Sequence, residues 1–125
     1  MTYLPEHRTI PAMLHLPAVP TAAGEARLFV RAILKEHPRV DDALLSVSEL
    51  VTNAVRHGPE GEELEVFIDR RESAIRVSVH QRHGTFRIDR TQRQGVGGLG
   101  LTIVEKASDA WGVDNETGAW FEIQD

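Results

Sequence analysis

A glycine-rich stretch in the last third of the chain is of a kind that binds phosphate. Gly95 to Leu101 reads Gly-Val-Gly-Gly-Leu-Gly-Leu. Because glycine has no side chain, the backbone of this stretch can approach a ligand closely. The stretch leads into a segment with helical spacing, and the free amides and positive dipole end of a helix N-terminus favour an anion. A flexible turn is the alternative, because the stretch has neither a Walker motif nor a dinucleotide-binding fingerprint.

A second candidate is a polar stripe about forty residues earlier. Glu49, Asn53 and Arg56 lie at positions i, i+4 and i+7, so on a helix they project from one face, opposite most of the aliphatic residues. A solvated helix surface explains such a stripe equally well when it stands alone. The stripe and the glycine stretch together favour a ligand site.

Two helices are predicted on either side of Pro38. Apolar residues recur at helical spacing from Thr21, a good N-cap residue, to Glu36. After the proline, Asp41 and Asp42 supply carboxylates to the start of a second helix, which is predicted to end at Gly58. This second helix carries the polar stripe.

Alternating apolar and polar residues predict the strands. The alternating segments are Met13 to Leu16, Leu64 to Asp69, Ile75 to His80, Trp111 to Val113 and Ala119 to Ile123. A short connection, Arg70 to Ala74, makes the second and third of these an antiparallel hairpin. Asp89 to Gly98 is predicted to be a mobile loop before a third helix. Helices on one side of such strands give a layered sandwich of the α+β class.

Composition limits the function classes. The chain has 125 residues, a net charge of −5 and no Cys. The lack of Cys excludes disulfides and thiol chemistry. The negative net charge disfavours nucleic acid or anionic lipid as partners. No apolar run is long enough to cross a membrane, and the first residues lack the apolar core of a signal peptide, so we expect a cytoplasmic protein. Trp111 and Trp120 are expected to pack in the core or on a sheet face, although an exposed Trp near the last strand could serve an interface.

The order and spacing of the two candidate stretches resemble a known family. Ser48 to Gly58, which reads Ser-Glu-Leu-Val-Thr-Asn-Ala-Val-Arg-His-Gly, resembles the N box of the GHKL, or Bergerat-fold, ATPases, and Gly95 to Leu101 resembles their phosphate lid. Within that superfamily the chain is most similar to the small serine kinases that act as anti-sigma factors. The resemblance implies a two-layer sandwich of helices on a mixed, mostly antiparallel sheet, with an extended leader over 1–20 and the ATPase domain over 21–125.

The resemblance also implies roles for individual residues. Glu49 would be the general base that takes the proton from a serine hydroxyl of a partner protein. Asn53 would bind Mg²⁺ through its amide oxygen, and His57 would steady the helix end or the nucleotide pocket. The remaining residues implied to bind ATP are Gln81, Gly84, Gly95, Gly97, Gly98, Leu99 and Gly100.

Three departures from the family pattern affect the same site. Gln81 stands where the family has the Asp that accepts a hydrogen bond from the adenine amino group. The glycine motif that usually follows is reduced to Gly84, and a Gly-Lys pair before the last strand is replaced by Asn115 to Gly118. A poorly met buried hydrogen bond costs about 1 to 3 kcal/mol, which predicts weakened ATP binding.

Three functions follow from these observations. The first is an ATP- and Mg²⁺-dependent protein serine kinase that binds a sigma factor and phosphorylates an anti-anti-sigma antagonist. The second keeps the fold as a binding module with weak or no ATP binding and no catalysis. The third is a structural or assembly domain. The resemblance admits a homodimer, and the net charge of −5 argues against direct contact with nucleic acid or membrane.

Overall fold

A computed structural model describes residues 10–83, 99–114 and 117–125 of the chain. Three helices are present in these ranges: α1 (Ala22–Leu34), α2 (Val40–His57) and α3 (Leu99–Ala107). Five strands accompany them: β1 (Ala12–Pro17), β2 (Glu63–Arg71), β3 (Ala74–Gln81), β4 (Ala110–Asp114) and β5 (Gly118–Gln124). Among these helices, none is long and apolar enough to cross a membrane.

The five strands form one sheet in the order β1-β2-β3-β5-β4, and each pairing between them is antiparallel. The hairpin of β2 and β3 therefore lies next to β5, the last strand of the chain. The α+β sandwich expected from the sequence is confirmed. Strands form at all five predicted positions, and each extends slightly beyond its predicted bounds.

The helices cover one face of the sheet. Apolar residues of α1 and α2 recur on one side of each helix and are fully buried, such as Ala26, Val30, Val47 and Val51. They pack against the inward-facing residues of the three central strands, where Phe121 is the largest fully buried side chain. Because an alternating strand buries every second residue, the opposite face of the sheet carries the polar and aromatic residues.

The helix ends differ in detail from the prediction. Thr21 stands at the N-cap of α1 but makes no side-chain capping hydrogen bond, so its expected capping role is wrong. The N-cap position of α2 is taken by Arg39, and Asp41 and Asp42 lie in the first turn, where their charge favours the positive end of the helix. Gly58 ends α2 as predicted, with its N–H donated to the carbonyl of Ala54 at 2.9 Å.

Some predictions fall outside the described residues. These include the loop from Asp89 to Gly98. The division between a leader over 1–20 and a domain over 21–125 stays a prediction, and β1, which precedes that boundary, is hydrogen-bonded to β2.

Candidate functional site

Helix α2 positions the first two candidate residues. Glu49 and Asn53 are one helical turn apart, and both are half-buried. Within the described residues no hydrogen bond or ion pair holds the Glu49 carboxylate, whereas Asn53 has a polar partner. No contact within the described residues therefore stabilises the Glu49 carboxylate, and the group has no structural role there.

Arg56, the third residue of the predicted stripe, lies beside a cavity. It is exposed and lines a cavity of about 310 Å³ between α1 and α2, together with Pro20, Ala23, Thr52 and Val55. Neither Glu49 nor Asn53 lines this cavity. Because α2 is helical from Val40 to His57, the three residues keep the spacing of the predicted stripe, with Arg56 on the side that borders α1.

The C-terminal end of α2 meets the end of β3. Gln81, the last residue of β3, is 3% exposed, and its side chain lies against Gly58. A Cβ atom on Gly58 would lie 3.1 Å from the Gln81 Oε1 atom and 2.8 Å from the Ala54 carbonyl oxygen. Only glycine allows this approach, so the residue that ends the helix also makes room for the Gln81 amide.

Hydrogen bonds fix the Gln81 amide. Its Nε2 donates to the backbone carbonyl of His83 at 2.7 Å, and the Gln81 backbone N–H donates to the carbonyl of Thr117 at 2.8 Å. His83 is tied in turn to Glu62, whose carboxylate accepts its backbone N–H at 2.6 Å. The bond to His83 uses one of the two N–H groups of Nε2 and orients the amide, and Oε1 is its acceptor atom.

Helix α3 begins at Leu99 and Gly100 and packs against α2. Its C-terminal end is held by Arg39, whose Nη2 donates to the carbonyl of Ala107 at 3.0 Å. The same guanidinium donates from Nε to Asp42 at 3.0 Å and from Nη1 to Asp109. Hydrogen bonding to Asp42 is the main reason that the pKa of Arg39 is raised above its usual value, with Asp109 adding to it.

Sequence reasoning did not identify Arg39 as a residue that positions α3. The charge pair of Arg39 with Asp42, three residues later, can be seen in the sequence. Ala107 and Asp109 are distant from Arg39 in sequence, and only the fold brings them into contact with it.

Four of the predicted glycines, Gly84, Gly95, Gly97 and Gly98, lie outside the described residues. The structure thus brings together Gln81 and the end of α2, and it places Leu99 and Gly100 at the start of a helix that packs on α2. His57, the last residue of α2, is half-buried next to Gly58.

The chemical groups of the described site residues are of the types that bind a nucleotide together with a hard cation. Glu49 and Asn53 offer oxygen atoms, the ligand type that Mg²⁺ prefers, and Mg²⁺ normally completes its coordination with phosphates and water. Gln81 offers a buried acceptor that suits an amino group. In residues 10–83, 99–114 and 117–125, no cluster of three or more acidic or His side chains could hold a metal by itself.

Comparison with solved structures shows the same fold elsewhere. The chain matches a crystal structure of the RsbU and RsbW domains of Rv1364c from Mycobacterium tuberculosis with a TM-score of 0.65 and 24% sequence identity. The match covers 90% of this chain and 32% of that one, so the chain spans about a third of that protein's length. No curated protein matches the chain.

A family model gives the assignment. The model described as the histidine kinase-like ATPase domain matches residues 16–122, which include both the Ser48 to Gly58 stretch and the glycine-rich stretch. This range covers most of the chain and confirms the resemblance to the GHKL ATPases. The chain belongs to the family of histidine kinase-like ATPase domains.

Proposed function

We propose that the chain is an ATP- and Mg²⁺-dependent protein serine kinase that regulates a sigma factor. It would bind the sigma factor and phosphorylate a serine of an anti-anti-sigma antagonist. The observation that carries the proposal is the half-buried Glu49 carboxylate, which has no partner within the described residues and lies one turn before Asn53 in a matched ATPase domain.

Glu49 acts as the general base in this proposal. Its carboxylate accepts the proton of the serine hydroxyl as that oxygen forms a bond to the γ-phosphorus, while the bond from the γ-phosphorus to ADP breaks. A carboxylate that is free of ion pairs can approach such a hydroxyl, and a positioned base contributes roughly 10²- to 10⁴-fold to the rate.

The position of α3 supports a phosphate site beside Glu49. Arg39 fixes the C-terminal end of α3 at the start of α2. Leu99 lies eight residues before Ala107 in α3, which is about 12 Å along the helix axis at about 1.5 Å per residue. The same distance along α2 leads from Val40 to Ser48. Packing of α3 against α2 thus favours an arrangement in which the N-terminus of α3 lies near the level of Glu49.

The other residues have binding roles. Asn53 would hold Mg²⁺, which bridges and partly neutralises the nucleotide phosphates when bound. The backbone amides of Gly97, Leu99 and Gly100 would donate to the phosphates, with Gly95 and Gly98 giving the backbone its close approach. Gln81 would accept from the adenine amino group, Gly84 would leave room for the base, and His57 would steady the end of α2.

The partner assignment rests on the family subgroup and on the fold. The structural neighbour is described as containing RsbU and RsbW domains, and the serine kinases that the sequence resembles act on sigma-factor regulators. A cytoplasmic location follows from that role.

Phosphoryl transfer tests the proposal. Radiolabelled γ-phosphate should move from ATP to a purified antagonist that carries its serine and not to the same antagonist with Ala at that serine. Glu49→Gln should lower the transfer rate about 10²- to 10⁴-fold while ATP affinity changes little. Glu72→Gln, at an exposed carboxylate in the β2–β3 turn, is the matched control and should retain full activity. Equal activity of Glu49→Gln and the wild type would refute the role of Glu49.

A second candidate function is a binding module with weak or no ATP binding, and Gln81 favours it. The Gln81 side chain is buried, and its donor end is occupied by the His83 carbonyl. A neutral amide is also a weaker acceptor than the carboxylate that the family has at this place, since hydrogen bonds to charged groups contribute more.

Replacing the amide separates the two candidates. Gln81→Asp should tighten ATP binding by roughly tenfold in a calorimetric titration if the rest of the pocket is intact. Gln81→Asn is the control, because it shortens the side chain equally but adds no charge. Equal affinities of the two variants would show that the charge at this position does not limit binding.

A further inference from the structure

The side-chain amide of Gln81 has an acceptor atom, Oε1, and a donor atom, Nε2, of nearly the same size and shape. A carboxylate at this place can only accept, whereas an amide that turns over exchanges its acceptor for a donor. The group that a ligand meets at Gln81 therefore depends on the orientation of the amide. Because Gln81 is buried at the end of β3, contacts with the protein decide this orientation.

Contacts on two sides of the amide determine its orientation. On one side Oε1 lies against Gly58, the glycine that ends α2, where a Cβ atom would be 3.1 Å from the oxygen. On the other side Nε2 donates to the backbone carbonyl of His83 at 2.7 Å. A reversed amide would direct its oxygen at that carbonyl, and two acceptors cannot form a hydrogen bond. The His83 carbonyl thus selects the orientation in which the oxygen lies beside Gly58.

Glu62 holds His83 in the position that this bond requires. Its Oε2 atom accepts the backbone N–H of His83 at 2.6 Å and lies 3.2 Å from the Nδ1 atom of the same residue. The His83 side chain is 78% exposed, so packing of the imidazole does not position it. Hydrogen bonds to a carboxylate are roughly twice as strong as those between neutral groups. The Glu62 carboxylate is therefore the contact that fixes the backbone at His83.

The backbone at Glu62 is itself anchored. Its N–H donates to the carbonyl of Pro59 at 3.1 Å, and its carbonyl accepts the N–H of Ala18 at 2.7 Å. Gly58 and Glu62 both belong to the connection between α2 and β2. This one connection thus supplies the glycine beside Oε1 and the carboxylate that acts through His83.

We propose that Glu62 and His83 are positioning residues that make Gln81 an acceptor toward the ligand, so that the site selects a purine nucleotide with an amino group at position 6 over one with a carbonyl group there. The inference rests on the proposed function, in which Oε1 accepts from the adenine amino group. Neither Glu62 nor His83 is among the residues that the family resemblance implies to bind ATP.

The selection follows from the pairing of donors and acceptors. The amino group of adenine completes a hydrogen bond with Oε1, whereas the carbonyl oxygen of guanine would meet it as a second acceptor. A site with a fixed hydrogen-bonding group rejects an analogue that cannot pair with that group. Without Glu62 the backbone at His83 is released, and the Gln81 amide can turn over and donate to a carbonyl. Loss of Glu62 should therefore reduce the preference between the two bases more than it reduces binding as such.

Calorimetric titrations of the full chain with ATP and with GTP, each with Mg²⁺, test this inference. The wild type should bind ATP about tenfold or more tightly than GTP, and Glu62→Ala should reduce this ratio to less than about threefold. Glu62→Gln keeps an acceptor for the His83 N–H and should retain most of the preference. Glu60→Ala, at an exposed carboxylate of the same connection, is the matched control and should keep the wild-type ratio.

The ratio separates positioning from stability, because a general loss of structure in Glu62→Ala would weaken both nucleotides together. A wild type that binds ATP and GTP equally, or a Glu62→Ala variant with the wild-type ratio, would overturn the inference and leave the proposed nucleotide site intact. A wild type that binds neither nucleotide would contradict the proposed function and the inference together.

Hydrogen exchange of side-chain amides, followed by NMR, tests the contacts without a nucleotide. In the wild type one Nε2 proton of Gln81 should exchange with solvent more slowly than those of the exposed Gln124. This protection should be lost in Glu62→Ala and kept in Glu60→Ala. Equally fast exchange of Gln81 and Gln124 in the wild type, or unchanged protection in Glu62→Ala, would show that Glu62 does not position the Gln81 amide.

Discussion

The start and the middle of α2 differ in whether their charged groups have partners. At its start, Arg39 holds Asp42, Asp109 and the carbonyl of Ala107, and Asp109 also accepts the backbone N–H of Gln124 at 2.8 Å. Further along the helix, Glu49 is half-buried and has no hydrogen bond or ion pair within the described residues. The contrast indicates that the contacts at the start of α2 stabilise the fold and that Glu49 makes no such contribution.

Removal of Arg39 should have the largest effect on stability. Arg39→Ala loses three hydrogen bonds, two of them to carboxylates, and leaves the last carbonyl of α3 without its cationic partner. We expect the free energy of unfolding to fall by about 2 kcal/mol, measured by urea denaturation. Arg31→Ala, at an exposed position of α1, is the control. Equal losses in the two variants would show that the Arg39 contacts contribute nothing specific.

Acid should weaken the same end of α2 through Asp109. The backbone N–H of Gln124 and then Arg39 hold the pKa of Asp109 below its ordinary value. A lowered pKa in the folded state stabilises the protein above the ordinary pKa, near 4, and this contribution is lost as the pH falls through the folded value.

Asp109→Asn isolates that contribution from those of the other acids. The wild type should be more stable than the variant at pH 6, by less than about 1 kcal/mol because the side chain is partly exposed to solvent. The difference should shrink as the pH falls below the ordinary pKa of an aspartate and through the lower folded value. A difference that is constant over this range would mean that the charge of Asp109 is not responsible.

Substitution of Glu49 should have the smallest effect on stability. Glu49→Gln removes no hydrogen bond or ion pair of the described residues, so we expect the free energy of unfolding to change by no more than about 0.5 kcal/mol. The same variant is expected to lose phosphoryl transfer. A loss of stability as large as that of Arg39→Ala would remove the distinction between the start of α2 and Glu49.

Most of the fold follows from local sequence patterns. Periodicity located all three helices and five strands, because burial of one face imposes a period of 2 or 3.6 on the apolar residues. Thr21 shows the limit of local signals, since a suitable residue at an N-cap does not ensure the capping bond. The order of strands in the sheet also depends on long-range pairing, such as β3 with β5.

The site was less accessible to sequence reasoning. Helical spacing placed Glu49, Asn53 and Arg56 on one stripe of α2, but it did not show that Arg56 lines a cavity beside α1. Gln81 contacts Gly58, which is 23 positions away in sequence, and Arg39 donates a hydrogen bond to Ala107, which is 68 positions away. No local sequence pattern predicts either contact. The resemblance to an ATPase family supplied the roles that spacing alone left open.

A calorimetric titration of Mg²⁺ and ATP into the wild type and Asn53→Ala tests the proposed nucleotide site most directly. We expect saturable binding by the wild type and at least a tenfold weaker affinity of the variant, with Arg56→Ala retaining wild-type affinity as the control from the same helix. Heat that is absent for the wild type up to millimolar nucleotide, or that is unchanged by Asn53→Ala, would contradict a nucleotide site at this part of α2.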